Sequence, residues 1–223
     1  ANPNVPQSEF DYCIGGFDAA DTTDLNAAVA LMARPNDDNI YVKSMFWIPQ
    51  EVLDRQAKLG TRRERDNAPY SEWVDAGYMR AVQGNRVEKQ VFLDWYEELR
   101  EQGLYTLFLG FDPWHIDDSM RARLRGSFGE RSLIPVRQGA FTLSEPMKEL
   151  KAQLGAHKVI YDNPVLKMCL ANSEAKVDIN GNQQPVKGQD ARKRIDGTVA
   201  LLCAYRAYMD NKDEFINLNN PRG

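Results

Sequence analysis

The sequence of 223 residues is poor in histidine and cysteine, the side chains that hold most zinc ions and form disulfides. Its two histidines, His115 and His157, are too few for a metal site built mainly of histidine. Its three cysteines, Cys13, Cys169 and Cys203, lie far apart and form no CxxC pair. We therefore expect reduced, buried thiols of a cytosolic protein and no disulfide framework.

Long apolar runs, nucleotide-binding loops and targeting signals are also missing. Runs such as "AAVALMA" are much shorter than the roughly 20 apolar residues that span a bilayer, so no membrane partner is expected. Residues 1–9 lack a basic stretch followed by an apolar one, and we interpret them as a linker remnant. No GxxxxGK(S/T) motif occurs, which excludes an ATP site of the P-loop type.

Composition favours one sizeable α/β domain, since 43% of the residues are hydrophobic and 27% are charged. We place this domain at residues 10–211 and a C-terminal tail at 212–223. The net charge of −4 argues weakly against a nucleic-acid partner, but basic residues cluster at 62–65, 121–125 and 187–194. A single cluster is usually a solvated helix face, whereas three in an acidic protein favour a local anion-binding surface.

The apolar pattern predicts a mixed sheet flanked by helices. Segments 12–17, 27–33 and 40–48 favour strands and are joined by short polar turns, which predicts an antiparallel meander. The segment "LYTLFLGFD" is apolar on both alternating faces, as expected of a central strand, and "SLIPV" predicts another. Helices are predicted at 49–60, 68–77, 86–103, 116–125, 142–155 and 196–209.

Two local motifs predict further details of these helices and strands. Thr142 and Glu145 have the spacing of a capping box, which places the start of a helix at Thr142. Asn180 and Gly181 lie between two β-like arms, which predicts a hairpin late in the chain.

Three aspartates occupy positions where an α/β sheet gathers ligands. Asp18 ends the first predicted strand, Asp112 ends the central strand and Asp196 begins the last helix. If the two strands are parallel neighbours, about 4.8 Å apart, Asp18 and Asp112 can share one cation. Oxygen ligands suit Mg²⁺ or Mn²⁺, and a pair of such ions can promote hydrolysis of a phosphodiester.

Each aspartate also has a structural interpretation. Asp18, Asp21 and Asp24 suit a polar turn, Asp112 suits the end of a strand and Asp196 suits a helix N-cap. An EF-hand loop beginning at Asp18 is excluded, because its sixth place holds no glycine and its twelfth no glutamate. Spacing alone leaves the catalytic and the structural interpretations open.

The chain resembles the nuclease domain of the large terminase subunit of tailed bacteriophages over about residues 10–210. The segments that carry the resemblance are "GGFDAADTTDLNAAVAL", "FWIPQE", "APYSEWVDAGYMRAVQGNRVE", "LGFDPWH", "PVRQGAFTLSEPMKEL", "DNPVLKMCLAN" and "KRIDGTVALLCAY". Membership would imply an RNase H-like fold, in which the first three strands are antiparallel and the first and fourth are parallel neighbours.

The resemblance also implies a site and a reaction. Asp18, Asp112 and Asp196 match the acidic triad of the family, which would bind Mg²⁺ or Mn²⁺, with two ions during catalysis. Asp21 and Asp24 are accessory candidates. The implied activity is an endonuclease that cuts concatemeric double-stranded viral DNA by two-metal-ion hydrolysis.

Partners follow from the same resemblance. Lys187, Arg192, Lys193 and Arg194 are candidate contacts to DNA phosphates. The implied protein partners are an N-terminal ATPase domain, the small terminase subunit and the portal, in the cytoplasm of an infected bacterium. Two alternatives stay open, namely another RNase H-like nuclease of the resolvase or transposase type and a non-catalytic DNA-clamping module of a packaging motor.

Overall fold

The computed structural model describes residues 5–19, 25–59, 68–190 and 193–219. Asp21, Asp24, Arg192 and the basic cluster at 62–65, all singled out in the sequence, lie outside these ranges. The described strands are β1 (Tyr12–Asp18), β2 (Asn26–Met32), β3 (Ile40–Pro49), β4 (Arg80–Val82), β5 (Tyr105–Phe111), β6 (Leu133–Pro135), β7 (Val159–Tyr161), β8 (Glu174–Val177) and β9 (Gln183–Val186). The described helices are α1 (Gln50–Leu59), α2 (Tyr70–Asp75), α3 (Gln90–Glu101), α4 (Asp118–Phe128), α5 (Ala140–Gly155), α6 (Pro164–Asn172) and α7 (Asp196–Leu218).

Seven strands form one mixed sheet with the spatial order β4–β3–β2–β1–β5–β6, and β7 pairs with the opposite end of β3 from β4. β1, β2 and β3 are antiparallel neighbours, as the short polar turns between them predict. β5 lies beside β1 and runs parallel to it. The structure thus confirms the predicted meander and the mixed sheet flanked by helices.

Helices cover both faces of this sheet, so the core has two layers. On one face, Ala200 of α7 and Val165 of α6 are fully buried. On the other face, Trp95 and Leu99 of α3 are buried beside Leu124 of α4. Because the central strands are covered on both sides, β2 is buried along its whole length.

Two glycines allow α7 to lie directly against the sheet. Gly16 of β1 and Gly110 of β5 are paired across the parallel ladder. A Cβ atom on Gly16 would lie 2.5 Å from the backbone nitrogen of Ala204, and one on Gly110 would lie 2.6 Å from the carbonyl carbon of Cys203. The backbone of α7 therefore approaches more closely than any side chain at these two positions would permit.

The packed chain continues beyond residue 211, where the sequence placed the beginning of a tail. α7 extends to Leu218, with non-helical backbone angles at Asn211, and Phe215 in its last part is fully buried. The Asn219 side chain accepts a hydrogen bond from the backbone N–H of Tyr12 and donates one to the carbonyl of the same residue, both at 3.0 Å. The end of α7 is thus fastened to the start of β1.

The capping box predicted at Thr142 is wrong. α5 begins at Ala140, its N-cap is Gly139, and no side chain caps it. The Leu143 N–H donates to the carbonyl of Gly139, so the helical hydrogen bonds begin before Thr142. Thr142 therefore lies inside the first turn and not at its boundary.

The late hairpin is confirmed, with a longer loop than a two-residue turn. β8 and β9 pair antiparallel from Glu174 to Val186, and five residues separate Val177 from Gln183. The Asp178 carboxylate accepts the backbone N–H groups of Asn180 and Asn182 and thereby closes the loop. None of the described helices combines the length and the apolar character that crossing a membrane requires.

The close contact of Gly110 with α7 predicts that one added methyl group at this position strongly lowers the stability of the protein. We expect Gly110→Ala to lower the free energy of unfolding by about 1–3 kcal/mol or more, because either α7 or β5 must move to admit the Cβ atom. Gly126→Ala is the matched control, since nothing lies within 4 Å of its added Cβ. In the last turn of α4 this change should instead leave the stability unchanged or raise it by up to about 1 kcal/mol.

Urea denaturation of the two variants and the wild type measures both changes. Equal stability of Gly110→Ala and the wild type would contradict the close helix–sheet contact.

Candidate functional site

Two of the predicted aspartates emerge from neighbouring parallel strands. Phe17 of β1 pairs with Phe111 of β5, so Asp18 and Asp112 follow at the same edge of the sheet. Each comes two residues after a glycine that faces α7, and alternate residues of a strand share a face. Both carboxylates are therefore directed to the side of the sheet that α7 covers. Asp112 is 4% exposed, whereas Asp18 is half-buried.

The third aspartate reaches the same place along α7. Asp196 is the first residue of that helix and is 6% exposed. Asp196 lies one helical turn, or about 6 Å, before Ala200, and Ala200 packs on Gly16. Asp18 lies about 6.6 Å beyond Gly16 along β1. Because the far end of α7 is fastened to Tyr12, the helix runs opposite to β1, and its first residue is level with Asp18.

Electrostatic interactions connect Asp18 with each of the other two aspartates, and we call the three carboxylates the aspartate cluster. Burial raises the pKa of Asp18 well above its usual range, and the negative charges of Asp196 and Asp112 raise it further. The positive charge of Lys187 acts in the opposite direction. Asp18 thus interacts with both of the other aspartates, which lie 94 and 178 positions further along the chain.

Asp196 is also held where ionisation is unfavourable. Burial raises its pKa, while the positive charges of Arg194 and Lys187 and hydrogen bonds from nearby backbone N–H groups oppose this rise. Its side chain does not cap α7, whose N-cap is Ile195 without a side-chain hydrogen bond. The N-cap interpretation of Asp196 is therefore wrong.

One carboxylate oxygen of Asp196 is suited to be a ligand of a cation. Its Oδ2 atom is buried and accepts no hydrogen bond from the described protein atoms. An acceptor in that position is costly unless a donor or a cation satisfies it. Within residues 5–19, 25–59, 68–190 and 193–219, no three acidic, histidine or cysteine side chains already surround a single metal position. The aspartates are thus neighbours with a donor set suited to a hard divalent cation, and not a closed coordination shell.

A short turn after β5 holds Asp112. Its Oδ1 atom accepts the backbone N–H of Trp114 at 3.0 Å. The Nε2 atom of His115 lies 3.7 Å from Oδ2 of the same carboxylate. Sequence reasoning assigned no role to His115, although its spacing of three residues from Asp112 in "FDPWH" was a usable signal.

The basic residues predicted near the site lie at different depths. Lys187 is close enough to affect the pKa of both Asp18 and Asp196. Arg194 is 3% exposed and interacts electrostatically with Asp196, so it does not lie on the surface. The Nζ atom of Lys193 is 3.6 Å from Glu174 of the hairpin. DNA contacts by these residues stay predictions.

The cysteines are free and buried, as predicted. Cys203 lies under the cluster, where burial and then the charges of Asp18 and Asp112 raise the pKa of its thiol. Gln138 Nε2 approaches its sulfur at 3.7 Å. Cys203 therefore serves as packing beneath the aspartates, with its thiol protonated.

Comparison with known proteins agrees with this architecture. Residues 11–211 match the protein family described as "Terminase large subunit, endonuclease domain". The large terminase of bacteriophage HK97 superposes with a TM-score of 0.73 at 29% sequence identity, over 88% of this chain and 39% of that chain. The match covers the three aspartates and all nine described strands.

Two further relatives were found. The nuclease domain of the g2p large terminase from bacteriophage SPP1, solved with bound Mn, superposes with a TM-score of 0.51 at 11% identity, over 94% of this chain and 92% of that chain. This likeness shows the shared fold and confirms the predicted RNase H-like class. Protein YmfN of Escherichia coli (strain K12) is 29% identical over 96% of this chain. The chain spans 47% of YmfN, or about half its length.

The electrostatics of the cluster predict how metal-free stability depends on pH. Because the pKa of Asp18 is raised in the folded state, folding becomes less favourable as the pH rises from about 4, the unfolded value, through the folded one. Asp18→Asn removes this charge. We therefore expect the variant to be more stable than the wild type near neutral pH in EDTA, with a smaller loss of stability above pH 4.

Denaturant unfolding at a series of pH values measures this difference. Glu101→Gln, which removes an exposed carboxylate on α3, should follow the wild type. Parallel curves for the wild type and Asp18→Asn would contradict the electrostatic interaction within the cluster.

Proposed function

This chain belongs to the family of terminase large-subunit endonuclease domains, and we propose that it hydrolyses double-stranded viral DNA at Asp18, Asp112 and Asp196. One observation carries the proposal. The three carboxylates come from β1, β5 and α7 and interact at one edge of the sheet, inside the region that matches the family. This juxtaposition favours catalysis over isolated turn and cap roles.

The same three side chains would hold the divalent cations that the reaction requires, Mg²⁺ or Mn²⁺. The SPP1 nuclease domain, which shares this fold, was solved with Mn bound. Bound here, a pair of such ions would supply Lewis-acid stabilisation of the phosphodiester and activation of water. The buried Oδ2 atom of Asp196 supports this assignment, because a cation would satisfy it.

The chain's own residues organise the carboxylates. The Trp114 N–H orients Asp112, and His115 stands beside it. Lys187 places a positive charge near Asp18 and Asp196, which favours their ionised, metal-binding forms. We assign Lys187 and Lys193 to contacts with DNA phosphates, which would be independent of base sequence. Asp21 and Asp24 remain accessory candidates.

The proposed substrate is concatemeric DNA, cut at the start and the end of packaging. The chain spans 39% of the HK97 large terminase, so we propose that an ATPase domain precedes it in the complete protein. The small terminase subunit and the portal would then be partners in the bacterial cytoplasm. We propose residues 10–211 as the nuclease domain, with the rest of α7, to Leu218, packed onto it.

Removal of one carboxylate tests the catalytic assignment. Asp112→Asn should reduce cleavage of plasmid DNA in Mn²⁺ or Mg²⁺ by at least about 100-fold, since even outer partners of metal ligands change activity by about 10- to 100-fold. Glu101→Gln is the control and should cut at the wild-type rate. Addition of EDTA should abolish cleavage by the wild type.

Cleavage by Asp112→Asn at the wild-type rate would exclude the proposed site. DNA binding without any metal-dependent cleavage by the wild type would favour the clamping module instead.

Binding of the metal itself can be measured without DNA. We expect Mn²⁺ to raise the melting temperature of the wild type, because binding to the folded state adds about 2.7 kcal/mol at a concentration of 100 times Kd. Asp18→Ala should lose most of this shift. The same shift in Asp18→Ala and the wild type would place the bound metal elsewhere.

A further inference from the structure

A polar cleft lies beside the turn that holds Asp112. Its volume is about 430 Å³, and its walls come from the segment entering α3 and from the first two turns of α4. The polar lining side chains that matter here are Arg86, Lys89, Gln90, Asp117, Ser119 and Arg123. We call this region the α3–α4 cleft.

Three cationic side chains, Arg86, Lys89 and Arg123, and two acidic ones, Glu88 and Asp117, line the cleft, which gives it an excess of one positive charge in a chain whose net charge is −4. Arg123 bridges its two walls by donating from Nη1 to the side-chain oxygen of Gln90 at 2.9 Å. That acceptor is neutral, so the hydrogen bond leaves the charge of Arg123 uncompensated. Arg86 is paired with Glu88 at 2.7 Å, and the Asp117 carboxylate accepts the backbone N–H of Met120 at 2.7 Å. The charge offered to a ligand therefore comes chiefly from Arg123.

Lys89 connects the cleft to the aspartate cluster. Its Nζ atom donates to the carbonyl oxygen of His115 at 2.5 Å. His115 is three residues after Asp112, and three residues span at most about 10 Å. Successive charges of one DNA strand are spaced by about 3.4 Å along the helix axis. Lys89 is thus within two or three nucleotides of a phosphate held at Asp112.

An exposed aromatic side chain stands on the same turn. Trp114 is 81% exposed, although large apolar side chains are usually covered. Its backbone N–H is fixed by Asp112, so the position of the indole is tied to the catalytic carboxylate. A flat, amphipathic ring beside a positively charged cleft suits contact with the sugars and bases of a nucleic acid.

We infer that the α3–α4 cleft and Trp114 bind the DNA strand next to the scissile phosphate, with the backbone phosphate in the cleft and the indole against its sugar or base. This inference rests on the proposed nuclease function and extends it to a surface that includes Arg123 of the basic cluster at 121–125. Contacts of this kind position the strand and carry no base specificity.

Substitution within α4 tests the cleft. Arg123→Gln removes the bridging charge, whereas Arg125→Gln, two residues away, removes a charge that is paired with Glu130 and does not line the cleft. Fluorescence anisotropy with a labelled DNA duplex, in EDTA so that nothing is cut, measures affinity at several salt concentrations. We expect Arg123→Gln to bind about 3- to 10-fold more weakly and the salt dependence, d log K/d log [salt], to become smaller by about 0.9.

Arg125→Gln should bind as the wild type does, and Arg123→Lys should retain most of the affinity because it keeps the charge. Melting temperatures of all three variants identify any loss that is due to unfolding. Equal losses in Arg123→Gln and Arg125→Gln, or no binding by the wild type at low salt, would overturn the inference. If Asp112→Asn abolishes cleavage but Arg123→Gln binds normally, the proposed function stands and only the cleft assignment fails.

Trp114 provides a second readout. Trp47 and Trp95 are 2% exposed and Trp73 is half-buried, so Trp114 is the most exposed of the four tryptophans. DNA that contacts Trp114 should quench part of the tryptophan fluorescence, and Trp114→Phe should lose that part. The same quenching in the wild type and in Trp114→Phe would exclude the contact.

Discussion

The close contact between α7 and the central strands is the constraint on which the site depends. Gly16 and Gly110 are paired in the sheet, and the backbone of α7 occupies the space that their side chains would fill. Two residues further along each strand are Asp18 and Asp112, on the same face by the alternation of a strand. One helical turn before the contact is Asp196. A single packing arrangement therefore fixes the relative positions of three groups that are far apart in the sequence.

This arrangement lowers the stability of the folded protein, because it brings three carboxylates together in a buried place. Burial and mutual repulsion disfavour the ionised form of Asp18, and a buried oxygen of Asp196 has no hydrogen-bond donor among the described residues. The surrounding structure tolerates this because residues 13–17 of β1 and 196–205 of α7 are buried and the end of α7 is held by Asn219. Charged groups that a rigid fold holds in an unfavourable environment are expected where selection has favoured function over maximal stability.

Most of the fold was predictable because its main elements have strong periodic patterns. The three meander strands and α3 were located within a few residues, and the parallel pairing of β1 with β5 followed from the resemblance. β4 and β7 escaped prediction because each has three residues, too few to show alternation, whereas the equally short β6 was found from the apolar run "SLIPV" around it. The start of α5 was misplaced because the backbone contact of Gly139, and not the polar side chain of Thr142, begins the helix. Such tertiary and backbone effects leave no local pattern.

The basic run before α7 shows why site residues are harder to predict than the fold. In the sequence, one basic cluster contains Lys187, Lys193 and Arg194, which suggests a single DNA-binding surface. In the structure, Arg194 is buried and interacts with Asp196, whereas Lys193 lies near Glu174 of the hairpin. Lys187 interacts electrostatically with the carboxylates of Asp18 and Asp196. Much of this positive charge therefore offsets the acidic cluster itself. An acidic site that binds a polyanion such as DNA needs two sets of positive charges. One set balances the carboxylates of the site, and the other binds the substrate. The folded structure shows which basic residue belongs to which set, whereas the sequence does not.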